Sequence, residues 1–143
     1  MIMALDRKHI GFRLAPFTVV VDLGRLQRFV AAIGAKDADA SSGMAPPTYL
    51  KVIEGGSSRE ILDALGVDLR RVMHAEQEFD YGGAFGGGDR LTVERVVSDI
   101  YERKQGALEF IVVESTIRNA GGVLVGRSRQ SIVVRNPGGA VRT

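Results

Sequence analysis

Cysteine and tryptophan are absent from the 143 residues, histidine occurs twice, and aromatic side chains make up only 6% of the chain. Without thiols there is neither a disulfide framework nor a thiolate zinc site, so nothing demands an oxidising compartment and a cytoplasmic location is expected. No apolar run is long enough for a membrane span or a signal peptide, and the opening MIMALDRKHIGF already carries Asp6, Arg7 and Lys8. Residues 1–13 therefore read as a flexible leader and residues 136–143 as a flexible tail. Lysine and arginine total 19 against 17 acidic residues, a net charge of +2, and the basic side chains are scattered rather than grouped. Nucleic-acid binding needs a basic stripe with interleaved aromatics, and none is visible. No cluster of side chains has metal-ligand spacing, so no metal and no cofactor is expected.

What is present suits one compact domain spanning residues 1–143, with a hydrophobic content of 45%. Phe17 to Asp22 reads as a strand rich in β-branched residues, and Asp22 stands as the N-cap of a helix. That helix buries Leu23, Leu26, Val30 and Ile33 on one stripe and ends at Gly34. Ala35 to Gly43 is small, polar and aperiodic, a loop. A short helix begins near Pro47, whose fixed φ suits a first helical position. Gly55 and Gly56 interrupt it, and a Ser57 to Glu60 capping box restarts it, with Ile61, Leu62 and Leu65 buried and Gly66 as terminator.

From there the period switches to two. Met73, Ala75, Phe79 and Tyr81 alternate with His74, Glu76, Glu78 and Asp80, and Gln77 is a polar exception on the dry face. Three longer strands follow, Leu91 to Tyr101, Leu108 to Asn119 and Val123 to Arg135, joined by hairpin-like turns. The small Gly126 and Ser128 on the inner face of the last strand imply that a helix packs closely there. Early helices followed by a meander of antiparallel strands predict an α+β domain, one sheet with helices against one face, whose exposed edges favour dimerisation through the sheet.

The stretch YGGAFGGGDRL, Tyr81 to Leu91, holds five glycines. Phosphate-binding glycine loops lead from a strand into a helix, whose N-terminal amides receive the ligand. Here the glycines lead from strand to strand and fit neither nucleotide motif, so the stretch reads as a turn with positive φ at several positions.

With these elements placed, the chain resembles the MaoC-like hydratases and dehydratases of the hot-dog superfamily, and in particular their N-terminal, fatty-acid-synthase-type dehydratase domain. The resemblance is carried by FVAAIG (Phe29 to Gly34), APPTY (Ala45 to Tyr49), HAEQEFDY (His74 to Tyr81), GGDRL (Gly87 to Leu91) and GRSRQSIVVR (Gly126 to Arg135). It implies an antiparallel sheet wrapped around a central helix, pairing as a double hot dog. Family enzymes use an Asp and a His in an Asp-x-Asn-x-x-His pattern just after the glycine that ends the first helix. One group handles water and the other the proton beside the thioester carbonyl.

This sequence has Ala35 and Ala40 at those places; Asp37 and Asp39 are near, but Ser42 and Met44 stand where their histidines would be. No catalytic residue is therefore assigned. His9 lies in the leader. His74 lies on a polar strand face beside Glu76, where a solvated or interface role is favoured over catalysis because it lacks a partner. The family commonly polarises the thioester with amides at the start of the central helix, but Pro46 and Pro47 have none, although Thr48 and Tyr49 do.

The resemblance thus implies a non-catalytic, acyl-chain-accommodating subunit of an (R)-specific hydroxyacyl-CoA or acyl-carrier-protein dehydratase or enoyl hydratase, partnered by a dyad-bearing MaoC-like subunit. Thr48, Tyr49, Leu50 and Ile53 are its candidate substrate contacts, with core filling an equal alternative for Leu50 and Ile53. A homodimeric acyl-thioester binding or regulatory protein without catalysis is the second reading. A hot-dog thioesterase using Asp37 or Asp39 as base is the third.

Overall fold

The computed structural model describes residues 5–34 and 44–137. Five antiparallel strands, β1 (Arg13–Val20), β2 (Val72–Tyr81), β3 (Arg90–Arg103), β4 (Leu108–Asn119) and β5 (Leu124–Arg135), form one sheet in the order β1-β3-β4-β5-β2. β1 and β2 are its two edges. Helices α1 (Leu23–Ala32), α2 (Leu50–Glu54) and α3 (Ser57–Ala64) follow β1, and a 3-10 turn at Pro47–Tyr49 leads into α2. The expected α+β arrangement, strands around a helical segment, is what the chain adopts.

Local chemistry accounts for the element boundaries. The Asp22 carboxylate accepts from the amide of Arg25 at 3.1 Å, capping α1 as expected. Gly34 takes φ +77° beyond its end, a conformation that a side chain disfavours. Gly55, at φ +57°, breaks the central helix into α2 and α3, and Gly66, at φ +73°, ends α3. Two of the 3-10 turns are capped in the same way, by Asp6 accepting from Lys8 and by Asp68 accepting from Arg70.

Two apolar clusters fill the space between helices and sheet. One gathers Leu26 and Val30 of α1 and Tyr49, Leu50 and Ile53 against Phe85, Leu91, Val93 and Ile117. The other sets Ile61, Leu62 and Leu65 against Val97, Ile100, Ile111, Val113, Ile132 and Val134. The close helix approach implied by Gly126 is present: a Cβ there would stand 2.5 Å from Cδ1 of Leu50.

Several expectations are corrected. Residues 5–13 are not a free leader: Arg7–His9 form a 3-10 turn, the Val97 amide donates to the Phe12 carbonyl and the Gly11 amide to the Val97 carbonyl, and Arg13 already belongs to β1. The amide of Leu5 donates to the buried carboxylate of Glu109 at 2.8 Å. Residue 136 is not part of a free tail, because Asn136 is buried and its side-chain amide donates to Glu109 and to the Gly106 carbonyl. Ser57 caps nothing through its side chain: the N-cap is Gly56, and the Ser57 hydroxyl donates instead to the Glu54 carbonyl at 2.6 Å. Met73 and Tyr81 are exposed rather than dry. A register shift between Val72 and His74 interrupts the alternation beside Met73, and Tyr81 ends the strand. Within the glycine stretch only Gly88 has positive φ, at +88°. Gly82 and Gly87 serve close approach, for a Cβ at Gly87 would lie 2.7 Å from Cδ1 of Leu23 and one at Gly82 would lie 3.1 Å from the Leu124 carbonyl oxygen.

Candidate functional site

At the break in the central helix, a polar belt separates the two apolar clusters. Its centre is Glu54, 2% exposed. Oε1 accepts from Nε2 of Gln77 at 2.6 Å, while Oε2 accepts from the hydroxyls of Ser115 at 2.6 Å and Ser128 at 2.7 Å. The Arg95 guanidinium lies 3.4 Å from Oε2 and spends its remaining donors on Ser115, Ser57, Ser58 and Gln130, at 2.7 to 2.9 Å. Strand register brings the belt together, because Arg95 pairs with Ser115, Ser115 with Ser128, and Gln77 with Gln130. Burial holds the Arg95 pKa below the usual arginine value, and the facing Glu54 carboxylate opposes that shift. Among the described residues no buried side-chain nitrogen or oxygen lacks a hydrogen-bond partner, as a buried polar network requires.

Glu54 is thus tied to β2, β3, β4 and β5. β1 is the one strand that does not reach it. Between β1 and the helix break lies a cavity of about 380 Å³, within the range of small-molecule sites. Leu14, Phe17 and Val19 of β1 form one wall, and Val52, Ile53 and the Glu54–Ser57 break form the other. Arg25 and Glu60 also border it. A larger cavity of about 480 Å³ lies on the opposite face of the sheet and is bordered by Glu78, Asp80, Glu94, Glu114, Arg127 and Arg129. Register sets Arg129 between Glu114 and Glu78, and Arg127 beside Asp80, so this face carries compensating charges on cross-strand neighbours.

Of the four predicted substrate contacts, only Ile53 borders the smaller cavity. Tyr49 and Leu50 are core residues, 2% and 0% exposed. The Tyr49 ring meets Phe29 edge-on at 5.1 Å, and burial pushes its phenol pKa up. Its amide donates to the Pro46 carbonyl within the 3-10 turn, so it is not available to a ligand. Thr48 is exposed. His9 lies in the first 3-10 turn, and His74 lies in β2, the edge strand opposite β1, paired through its backbone with Val133. Asp37 and Asp39, with the Ala35 and Ala40 positions of the missing dyad, lie outside the described residues. Among the described residues no three His, Cys, Asp or Glu side chains gather as a metal site, and no helix is long and apolar enough to cross a membrane.

Sequence reading noticed Gln77 and Ser128 on dry faces but missed the centre of the belt. The signal was a charge in an apolar phase. Arg95 occupies the inward position between Val93 and Val97, and Glu54 directly follows Ile53 on the buried side of α2.

This arrangement, a curled antiparallel sheet around a broken central helix, is the hot-dog fold of MaoC-like dehydratases. The FAS1-like dehydratase domain region matches residues 8–127, and the chain belongs to that family. A UPF0336 protein of Streptomyces griseus is 28% identical over 93% of this chain and 97% of its own length. One from Saccharopolyspora erythraea is 30% identical over 93% of both. Among solved structures, a subunit of the C-terminally truncated HadBC (3R)-hydroxyacyl-ACP dehydratase complex of Mycobacterium tuberculosis superposes with a TM-score of 0.72 at 17% identity, covering 87% of this chain and 96% of its own. The ChsH1–ChsH2 complex of the same organism gives 0.60 at 20% identity, covering 87% and 89%.

Proposed function

We propose that this chain is the non-catalytic, acyl-chain-accommodating subunit of an (R)-specific hydroxyacyl-CoA or acyl-carrier-protein dehydratase or enoyl hydratase. The carrying observation is the cavity beside β1, walled by Leu14, Phe17, Val19, Val52 and Ile53, in a chain whose two histidines stand on other elements, His9 in the first 3-10 turn and His74 in β2 at the opposite edge of the sheet. Adding or removing water beside a thioester needs an acid and a base within hydrogen-bond reach of the reacting atoms. This chain offers a groove for a hydrocarbon, and neither histidine stands on the elements that wall it, so the dyad comes from a partner. The HadBC and ChsH1–ChsH2 structures, both complexes of two different subunits by name, support that division of labour. Of the four predicted contacts, Ile53 is the one retained in this reading.

The partner joins at β2. Ala15 and Pro16 interrupt the register of β1 against β3, and an edge proline presents no amide to a further strand. β2 has no proline along Val72–Tyr81, and its outer edge is unpaired within the sheet.

Co-expression with a dyad-bearing MaoC-like subunit, followed by an enoyl-thioester hydration assay, tests the reading. A stable complex that hydrates the substrate, while this chain alone is inert, is the expected result. Hydration of a crotonyl thioester by the purified chain alone would overturn it. A self-dimer that binds acyl-CoA and forms no complex with the dyad-bearing subunit would favour the homodimeric binding protein instead.

A further inference from the structure

We propose that the free edge of β2 selects its companion by charge: it takes an edge strand that carries lysine or arginine at alternate outward positions, and it turns away a second copy of this chain. The inference rests on the reading that a partner joins at β2 and names the chemistry that decides which one.

β2 alternates across the sheet. Gln77 turns inward to the Glu54 carboxylate, whereas Glu78 and Asp80 border the cavity on the opposite face. Glu76, two residues before Glu78, shares their phase, and all three carboxylates are exposed. The unpaired edge thus offers backbone donors and acceptors to a further strand, with three negative charges alongside them. On the inner side β5 answers two of the three. Arg129 stands opposite Glu78 and Arg127 opposite Asp80, while Glu76 faces Ser131. Arg129 also stands opposite Glu114 of β4, so its charge is shared between two carboxylates.

The sign alternates from strand to strand. From β4 through β5 to β2 the outward residues run Glu114, Arg129, Glu78, and the next place in that line belongs to the joining strand. A cation there continues the alternation at a cross-strand separation of about 5 Å, where opposite charges stabilise a pair. A second copy supplies the wrong sign. Two β2 strands paired antiparallel about a two-fold axis keep outward residues opposite outward residues. Centred on Gln77, the pairing sets Glu76 against Glu78 twice. Centred on Glu78, it sets Glu78 against its own copy and Glu76 against Asp80. Any centre from Glu76 to Asp80 leaves at least one carboxylate facing another, and like charges directly opposite destabilise a strand pair. Arg127 and Arg129 do not relieve this, because they lie on β5, one strand behind the joint.

Sedimentation equilibrium of the full chain at low and high salt tests the selection. The expected result is weak self-association that tightens as salt screens the carboxylates. Neutralising them together, Glu76→Gln with Glu78→Gln and Asp80→Asn, should tighten self-association about tenfold at low salt and flatten the salt dependence. Should that variant fail to fold, Glu76→Gln alone, whose neighbour on β5 is Ser131, should tighten it about threefold. A charge-reversed copy, Glu76→Lys with Glu78→Lys and Asp80→Lys, serves as a defined basic companion; mixed with the unaltered chain it should form a one-to-one pair that salt weakens. Self-association unmoved by neutralisation, or an unaltered chain that pairs with itself as tightly as with the reversed copy, overturns the charge selection and leaves the proposed function standing. Failure of a dyad-bearing subunit to form any complex sinks the proposed function instead, without touching these measurements, which need no such subunit.

Discussion

Nη2 of Arg95 lies 3.4 Å from Oε2 of Glu54, an ion pair whose side chains are 1% and 2% exposed. A charge removed from water to this degree is tolerated only while its partner and its hydrogen bonds are intact. Truncation of one member should therefore be far worse than replacement of both. Arg95→Ala is expected to lower stability by about 3–5 kcal/mol, whereas Glu54→Leu combined with Arg95→Met should restore most of that loss. Urea unfolding of the two variants checks the pair; equal destabilisation in both would show that packing, rather than the orphaned carboxylate, sets the cost.

Gly126 leaves room for Leu50. A methyl at Gly126 would come within 2.5 Å of the Leu50 Cδ1 atom, closer than carbon atoms approach without displacement. Gly126→Ala should destabilise the fold by about 1–3 kcal/mol. In a double-mutant cycle, Leu50→Ala should absorb much of that penalty, because the two substitutions act on one contact. Additive effects from thermal unfolding would refute the close approach.

Most of the sheet was legible because its strands alternate over long stretches. The expected limits of β4 coincide with those observed, and β3 and β5 differ by a residue or two at their ends. Glycines marked the breaks after α1, α2 and α3 for a reason of backbone sterics, and Gly34, Gly55 and Gly66 all take positive φ. The cavity was not legible, since it depends on β1 lying beside the helix break, a proximity that no periodicity encodes. Ser57 misled for a related reason. Its Ser-x-x-Glu spacing fits a capping box, but the buried Arg95 guanidinium, contributed by a strand far along the chain, uses its hydroxyl as an acceptor. Long-range polar demand overrode a local motif.

The β3–β4 hairpin contains a small reserve of strain. Lys104 and Gln105 both adopt the left-handed conformation, with φ +54° and +57°, followed by Gly106 at +84°. For a residue with a Cβ this region costs about 1–2 kcal/mol, part of which glycine gives back through its greater freedom in the unfolded chain. Gln105→Gly should raise stability by up to about 1 kcal/mol. Calorimetry should show an increased Tm, and a decrease would mean that the Gln105 side chain contributes contacts outweighing the strain.

Acid should weaken the turn that leads into β2. Asp68 caps it by accepting from the Arg70 amide at 3.0 Å, and its other carboxylate oxygen meets the Arg70 guanidinium at 3.0 Å. These bonds, led by the Arg70 side chain, hold the Asp68 pKa below its ordinary value of 3.8. A carboxyl whose pKa is lower in the folded state stabilises above the unfolded value, and that contribution disappears as pH falls through the folded one. Asp68→Asn should therefore lower stability near neutral pH and make no difference once the pH is well below 3.8. Urea midpoints measured across that range decide the matter; a deficit that persists in acid would point to lost packing rather than lost charge.

Pro16 has a consequence for assembly. It stands in β1, one margin of the sheet, at the interruption in its register with β3. A sheet able to template a neighbour along one border only would add a single companion. Two such sheets joined at β2, as proposed, would turn both proline-bearing borders outward; growth would then terminate at the pair, and one ring of three methylenes would oppose the route by which exposed strands propagate into fibrils.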